Sequence, residues 1–214
     1  MDFVYINQNV LNNLLYILCS IFVFYFIYDS RHYLKKYKIL LITLCSSIPL
    51  ILCMRYPIYM DESCIHDLRQ IPVIIGTLYG GFPVGIILFT ILLITRFLFY
   101  GFNMLTVVVY GIMFIVTALA SSKFNTYNRK LKVAFSMFLT FFLAIFTTLI
   151  VLTLSDFEVN NLYIIYFMVL PTTLMLFIVY INEVIKDAVL MRSKLIKMEK
   201  WRLLANSLQV YRTK

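Results

Sequence analysis

Seven apolar runs divide the chain, at 4–28, 39–54, 70–81, 84–100, 103–120, 132–154 and 162–182. Most are long enough, at about 17–25 residues, for a helix to cross a hydrocarbon core about 30 Å thick. Inside lipid the backbone must satisfy its own hydrogen bonds, so such runs fold as helices. Of the 214 residues, 62% are hydrophobic and only 14% charged, where a soluble domain carries roughly a quarter charged. The expected fold is therefore all-α: a polytopic transmembrane helical bundle of about seven segments. The first run has no basic residues before it and no small-residue cleavage site, and it is too long for a signal-peptide core. It is expected to remain as a helix.

The net charge of +9 would point to a nucleic-acid partner if it covered one face. It lies instead in short clusters between the apolar runs, such as Arg31, Lys35, Lys36 and Lys38, or Lys123, Arg129, Lys130 and Lys132, and in the tail. That is the pattern of cytoplasmic loops, so the expected partner is a lipid bilayer and not a nucleic acid. The loops near 55–69 and 155–161 hold Asp61, Glu62, Asp67, Asp156 and Glu158 and few Lys or Arg, which places them outside. Both basic loops lie inside only if an even number of crossings separates them. Counting the short run "QIPVIIGTLYGG" meets that condition and gives seven crossings, with the N-terminus outside and the C-terminus cytoplasmic. A re-entrant third segment with six crossings is the alternative, and it puts one basic loop on the wrong side.

The chain offers little to catalysis. Cys19, Cys45, Cys53 and Cys64 are scattered, and the pair Cys64 and His66 falls short of a metal site. There is no phosphate-cradling glycine loop, no nucleotide-binding segment and no histidine placed as a phosphoacceptor. No catalytic residue, metal or cofactor is expected.

The most informative stretch is "DLRQIPVIIGTLYGGFPVGIILFTILLITRFLFYGFN". Gly76, Gly80, Gly81 and Gly85 gather here with Pro72 and Pro83, in a chain with only 6 glycines. Small residues let helices approach closely, and Gly-Gly followed by Pro marks a tight turn between two short helices. Arg96 lies within an apolar run, where a guanidinium needs a partner or water. Arg69 stands beside Asp67 at the edge of the preceding segment. Converging, the two arginines make a bidentate clamp for a small carboxylate or phosphate. Snorkelling of Arg96 to an interface and local pairing of Arg69 with Asp67 are the alternative.

The pattern of "D-x-R", a helix ending in "LYGGFPVG", a second helix and "TR" before "YGFN" resembles the membrane domain of five-transmembrane receptors of the LytS–YhcK type. The resemblance covers roughly 30–185 and leaves the first helix as an extra. It implies a sensor domain at 30–183 after a first transmembrane helix at 1–29, in a bacterial plasma membrane. It implies that Arg69 and Arg96 help bind a small anionic ligand, with further contacts near Val107 and Tyr110, where small polar residues are the family's pattern. It also implies an output module beyond the last helix, most often a histidine kinase.

After the last span, Val184, Ala188, Met191, Leu195 and Met198 recur at spacings of four and three, the seam of a two-stranded coiled coil, until Arg202 breaks it. A short coiled-coil-like cytoplasmic signalling helix is thus expected at 184–206, in a homodimer or a heterodimer with an intact kinase. A basic amphipathic helix lying on the bilayer is the other reading. The tail at 207–214 is expected to be the aberrant remnant of a frameshifted kinase gene. Codons one base out of frame from Leu208 to Lys214 admit "A-G-I-S-H-E", the start of a phosphoacceptor motif. The functional expectation is the signal-sensing membrane region of a two-component sensor histidine kinase, truncated and without kinase activity of its own. The alternative is a small-solute transporter or a substrate-binding membrane component, for which a continuous heptad helix has no use.

Overall fold

The computed structural model describes residues 3–30, 37–59, 65–66, 68–154 and 161–212. Arg31, Lys35, Lys36, Asp61, Glu62, Cys64, Asp67, Asp156, Glu158, Thr213 and Lys214 lie outside the described residues. The described residues form seven helices: α1 (Phe3–Ser30), α2 (Lys38–Arg55), α3 (Gln70–Gly80), α4 (Phe82–Tyr100), α5 (Met104–Phe124), α6 (Arg129–Leu154) and α7 (Asn161–Arg212). A two-residue antiparallel pair, β1 (Ile58–Tyr59) with β2 (Ile65–His66), joins α2 to α3.

Among the described residues six helices are long and apolar enough to span a membrane, and α3 is the short one. At 1.5 Å per residue it reaches only about 16 Å. It does not have to meet lipid, because every residue from Ile71 to Leu78 is buried. Helices α2, α4 and α5 pack around it and α7 touches it. A short helix is tolerated at membrane depth when protein, not lipid, surrounds its ends. The structure is thus a bundle built around a central half-length helix.

Glycine makes this packing feasible. A Cβ on Gly85 would lie 2.7 Å from Thr77 Cγ2 on α3, and one on Gly76 would lie 2.8 Å from Ser46 Oγ on α2. Gly80 is held so closely that a Cβ would meet Val84 Cβ at 2.7 Å. Gly81 ends α3 and starts α4 with φ 80° and ψ −174°, a conformation almost confined to glycine. Pro83 follows in the first turn of α4, where a missing N–H leaves no hydrogen bond broken. The second helix of this hairpin is not short, since α4 runs for 19 residues. Buried hydroxyls are satisfied within their own helices: Thr77, Thr95 and Thr117 donate to Val73, Ile91 and Met113 carbonyls at 2.6–2.7 Å.

Helix α7 is continuous for 52 residues, about 78 Å, through the buried Pro171. The last span and the exit helix are one element, and the helix extends over residues 207–212 as well. Its most extensive partner is α6.

Gly81 has room for a side chain, with only Pro83 Cδ near at 3.8 Å, so the penalty there is conformational. Gly81→Ala is expected to destabilise the protein by about 1–3 kcal/mol, measured as a lowered melting temperature in detergent.

Candidate functional site

Arg69 occupies the N-cap position of α3 and is buried, 8% exposed. Arg96 sits one turn before the end of α4 and is half-buried. They are 27 residues apart in sequence, yet the fold gathers both guanidinium groups onto one aromatic ring. The Arg96 guanidinium carbon lies 4.4 Å from the centroid of Tyr100, its i+4 neighbour, and that of Arg69 lies 5.8 Å from the same ring. Arg69 also lies 5.5 Å from the ring of Tyr110 on α5. Val107 is half-buried one turn earlier on that helix.

Tyr100 is the residue that sequence reasoning missed. Its hydroxyl donates to the Met54 carbonyl of α2 at 2.8 Å, which fixes the ring that both arginines approach. Cation–π contacts of this kind contribute about 0.5–2 kcal/mol each, more as water is excluded. The i, i+4 spacing of Arg96 and Tyr100 was the available signal; the approach of Arg69 was not visible in it. The N-terminus of α3 adds the positive end of a helix dipole to the same region. Guanidinium forks, a helix N-terminus and aromatic walls form a positive, partly desolvated site suited to carboxylate or phosphate oxygens.

The other end of α3 holds a second polar cluster. The Tyr79 hydroxyl donates to Glu183 Oε1 on α7 at 2.8 Å. Lys132 Nζ on α6 lies 3.5 Å from the same oxygen, and Lys186 Nζ lies 3.4 Å from it. Glu183 and Lys132 are each 3% exposed. Lys132 also lies over the rings of Tyr79 and Phe124, at 5.9 and 5.7 Å. Nearby, Arg129 pairs with Asp187 at 3.8 Å and covers the Tyr180 ring at 4.5 Å, again joining α6 to α7. Helix α3 therefore carries Arg69 at one end and a contact to the last helix at the other.

Among the described residues no cluster of His, Cys, Asp or Glu is suited to a metal ion. The exit-helix residues Val184, Ala188, Met191, Leu195 and Met198 are all exposed, whereas Ile185 and Val189 turn toward the bundle core.

A family model described as 5TMR of 5TMR-LYT matches residues 21–184, from the middle of α1 to just past Glu183. No curated protein and no solved structure matches the chain.

Removing one partner of a buried ion pair leaves the other charge uncompensated, at a cost of about 3–5 kcal/mol, while replacing both by apolar groups can be neutral. Glu183→Met, which strands the buried Lys132, is expected to destabilise strongly, and Lys132→Met with Glu183→Met to recover most of that loss. A double-mutant cycle on melting temperatures checks this; additive losses would show that the pair is not coupled.

Proposed function

The chain belongs to the LytS-type five-transmembrane receptor family, and we propose that it is the signal-sensing membrane region of a two-component sensor histidine kinase. Its ligand is a small anion, a short-chain carboxylate or a phosphate, held between Arg69 and Arg96. The observation that carries this reading is the shared Tyr100 ring, which brings the two arginines to one place. Val107 and Tyr110 offer an apolar wall and an aromatic one, which favours a ligand with a short carbon skeleton behind its charged group. In this reading the arginine end of α3 faces outward, and the basic residues at the starts of α2 and α6 face the cytoplasm with the exit of α7.

The signal leaves through α7. Ligand contacts at the start of α3 bear on a helix whose far end touches Glu183 through Tyr79. A parallel homodimer, or a heterodimer with an intact kinase, pairs the exposed seam from Val184 to Met198. A membrane anchor raises the effective concentration of the partner helix, so two heptads suffice. The unbroken helix from the last span into the exit supports signalling over solute transport.

In a thermal-shift titration with a panel of short-chain mono- and dicarboxylates, at least one is expected to stabilise the wild-type chain. Arg69→Ala and Arg96→Ala each abolish that shift. Arg96→Lys also loses it, because lysine lacks the planar fork. A full shift in Arg96→Ala would end the reading.

Single cysteines at Val184, Met191 and Met198 are expected to crosslink across the dimer in membranes, and those at Ser193 and Lys200, on the opposite face, are not. Equal crosslinking around the helix would favour a helix lying on the bilayer.

A further inference from the structure

A cavity of about 160 Å³ lies between α1, α2, α3 and α7, at the end of α3 away from the arginines. A site of this size accommodates a six-carbon ring in an apolar protein interior, so it can hold a stretch of hydrocarbon. Its chemistry changes with depth. Lys38 begins α2 and Lys186 lies beyond Asn182 on α7, and among the described residues these lysines are the charged ones of its wall. Cys45, Ile75 and Gly76 line its deeper part together with the small hydroxyls of Ser20 and Ser46, so charge gives way to a mostly apolar wall, and Cys45 lies about 10 Å along α2 from Lys38. Tyr25 and Tyr28 line the basic level together with Phe24, whose ring stacks on Tyr28 at 5.6 Å. Aromatic side chains at this level are characteristic of the headgroup boundary.

From this gradient we infer that the cavity is a binding site for an anionic glycerophospholipid. Its phosphodiester sits between Lys38 and Lys186, and part of one acyl chain enters toward Gly76. A neutral amphiphile would leave Lys132 and Lys186 sharing the single Glu183 carboxylate, and a free phosphate would leave the deeper part empty. Lys186 already lies 3.4 and 3.5 Å from the two Glu183 oxygens. An ammonium has three hydrogens, so one stays available to a phosphate oxygen. Lys38 is exposed at the mouth and supplies the second contact. Basic pockets between membrane helices are suited to anionic headgroups. Helix α1 supplies one wall through Ser20, Tyr25 and Tyr28, and Ser20 Oγ donates to the Cys45 carbonyl, holding that wall to α2. Bound lipid would touch α7 within one turn of Glu183, so the charge of the bilayer becomes a second input beside the anion at the arginines. The site does not depend on the arginine reading.

Native mass spectrometry of the full chain, released from a neutral detergent, tests the site by titration with dioleoylphosphatidylglycerol, dioleoylphosphatidylcholine or inorganic phosphate. Phosphatidylglycerol is expected to bind roughly 25-fold more tightly than phosphatidylcholine, a preference of about fivefold per lysine. Lys38→Gln reduces that preference roughly fivefold, and Lys38→Gln with Lys186→Gln removes it. Since Lys186 also touches Glu183, the exposed Lys38 carries the test if the double variant does not fold. Equal affinity for the two lipids, a full preference in Lys38→Gln, or displacement of the lipid by inorganic phosphate would each overturn the inference. Any carboxylate-induced thermal shift of the wild type is expected to persist in Lys38→Gln, so failure at one site is distinguishable from failure at the other.

Discussion

A carboxylate is buried between membrane helices only if a cation accompanies it, and the pairing of Glu183 with Lys132 is the contact on which the arrangement of these helices depends. Each charge would be costly to bury alone. Together, with the Tyr79 hydroxyl on the same oxygen, they fix α3, α6 and α7 relative to one another. The fold needs such a tie, because α6 has little contact with α5 and packs chiefly on α7. The pair α6–α7 therefore joins the rest through small contacts with α1, α5 and α3, and the ionic cluster sets the rotation of α7 at that junction. Apolar surface alone would allow several rotations of nearly equal energy in lipid, where no hydrophobic force favours one helix contact over another.

The central helix gives this tie its meaning. With its whole apolar length enclosed, α3 has no lipid-facing side on which to relax, and close-packed interiors transmit displacement instead of absorbing it. Glycines at positions 76 and 85 bring its neighbours near enough that any movement is shared with α2 and α4. On the proposed reading, a ligand that draws Arg69 and Arg96 together acts on one end of a helix whose other end holds the carboxylate of α7.

Much of this was legible in the sequence, because lipid leaves so few solutions. The seven apolar runs reappear as seven helices, and "YGGFP" marked the turn at Gly81, since only glycine tolerates that backbone and proline suits the turn after it. Arg96 stood out as a charge in an apolar run. What escaped was long-range. Tyr100 looked like one aromatic residue among many until the fold placed Arg69 against its ring. Glu183 lay just past the apparent end of the last apolar run and drew no reading, and Lys132, at the edge of another, read as a loop charge. Their burial follows from α6 and α7 extending further together than hydropathy indicates. The length of α3 was readable, but its enclosure was not, because a short apolar run looks the same whether it faces lipid or other helices.

Helix α7 has a mechanical consequence. If Glu183 is a fulcrum, the arm from it to Arg212 spans 29 residues, about 43 Å. For a stiff beam of that length, a tilt of about 5° displaces the tip by about 4 Å, close to the separation of adjacent side chains along a coiled-coil seam. An angular change too small to disturb the packing around the pivot is thus large enough at the tip to exchange one set of helix contacts for another.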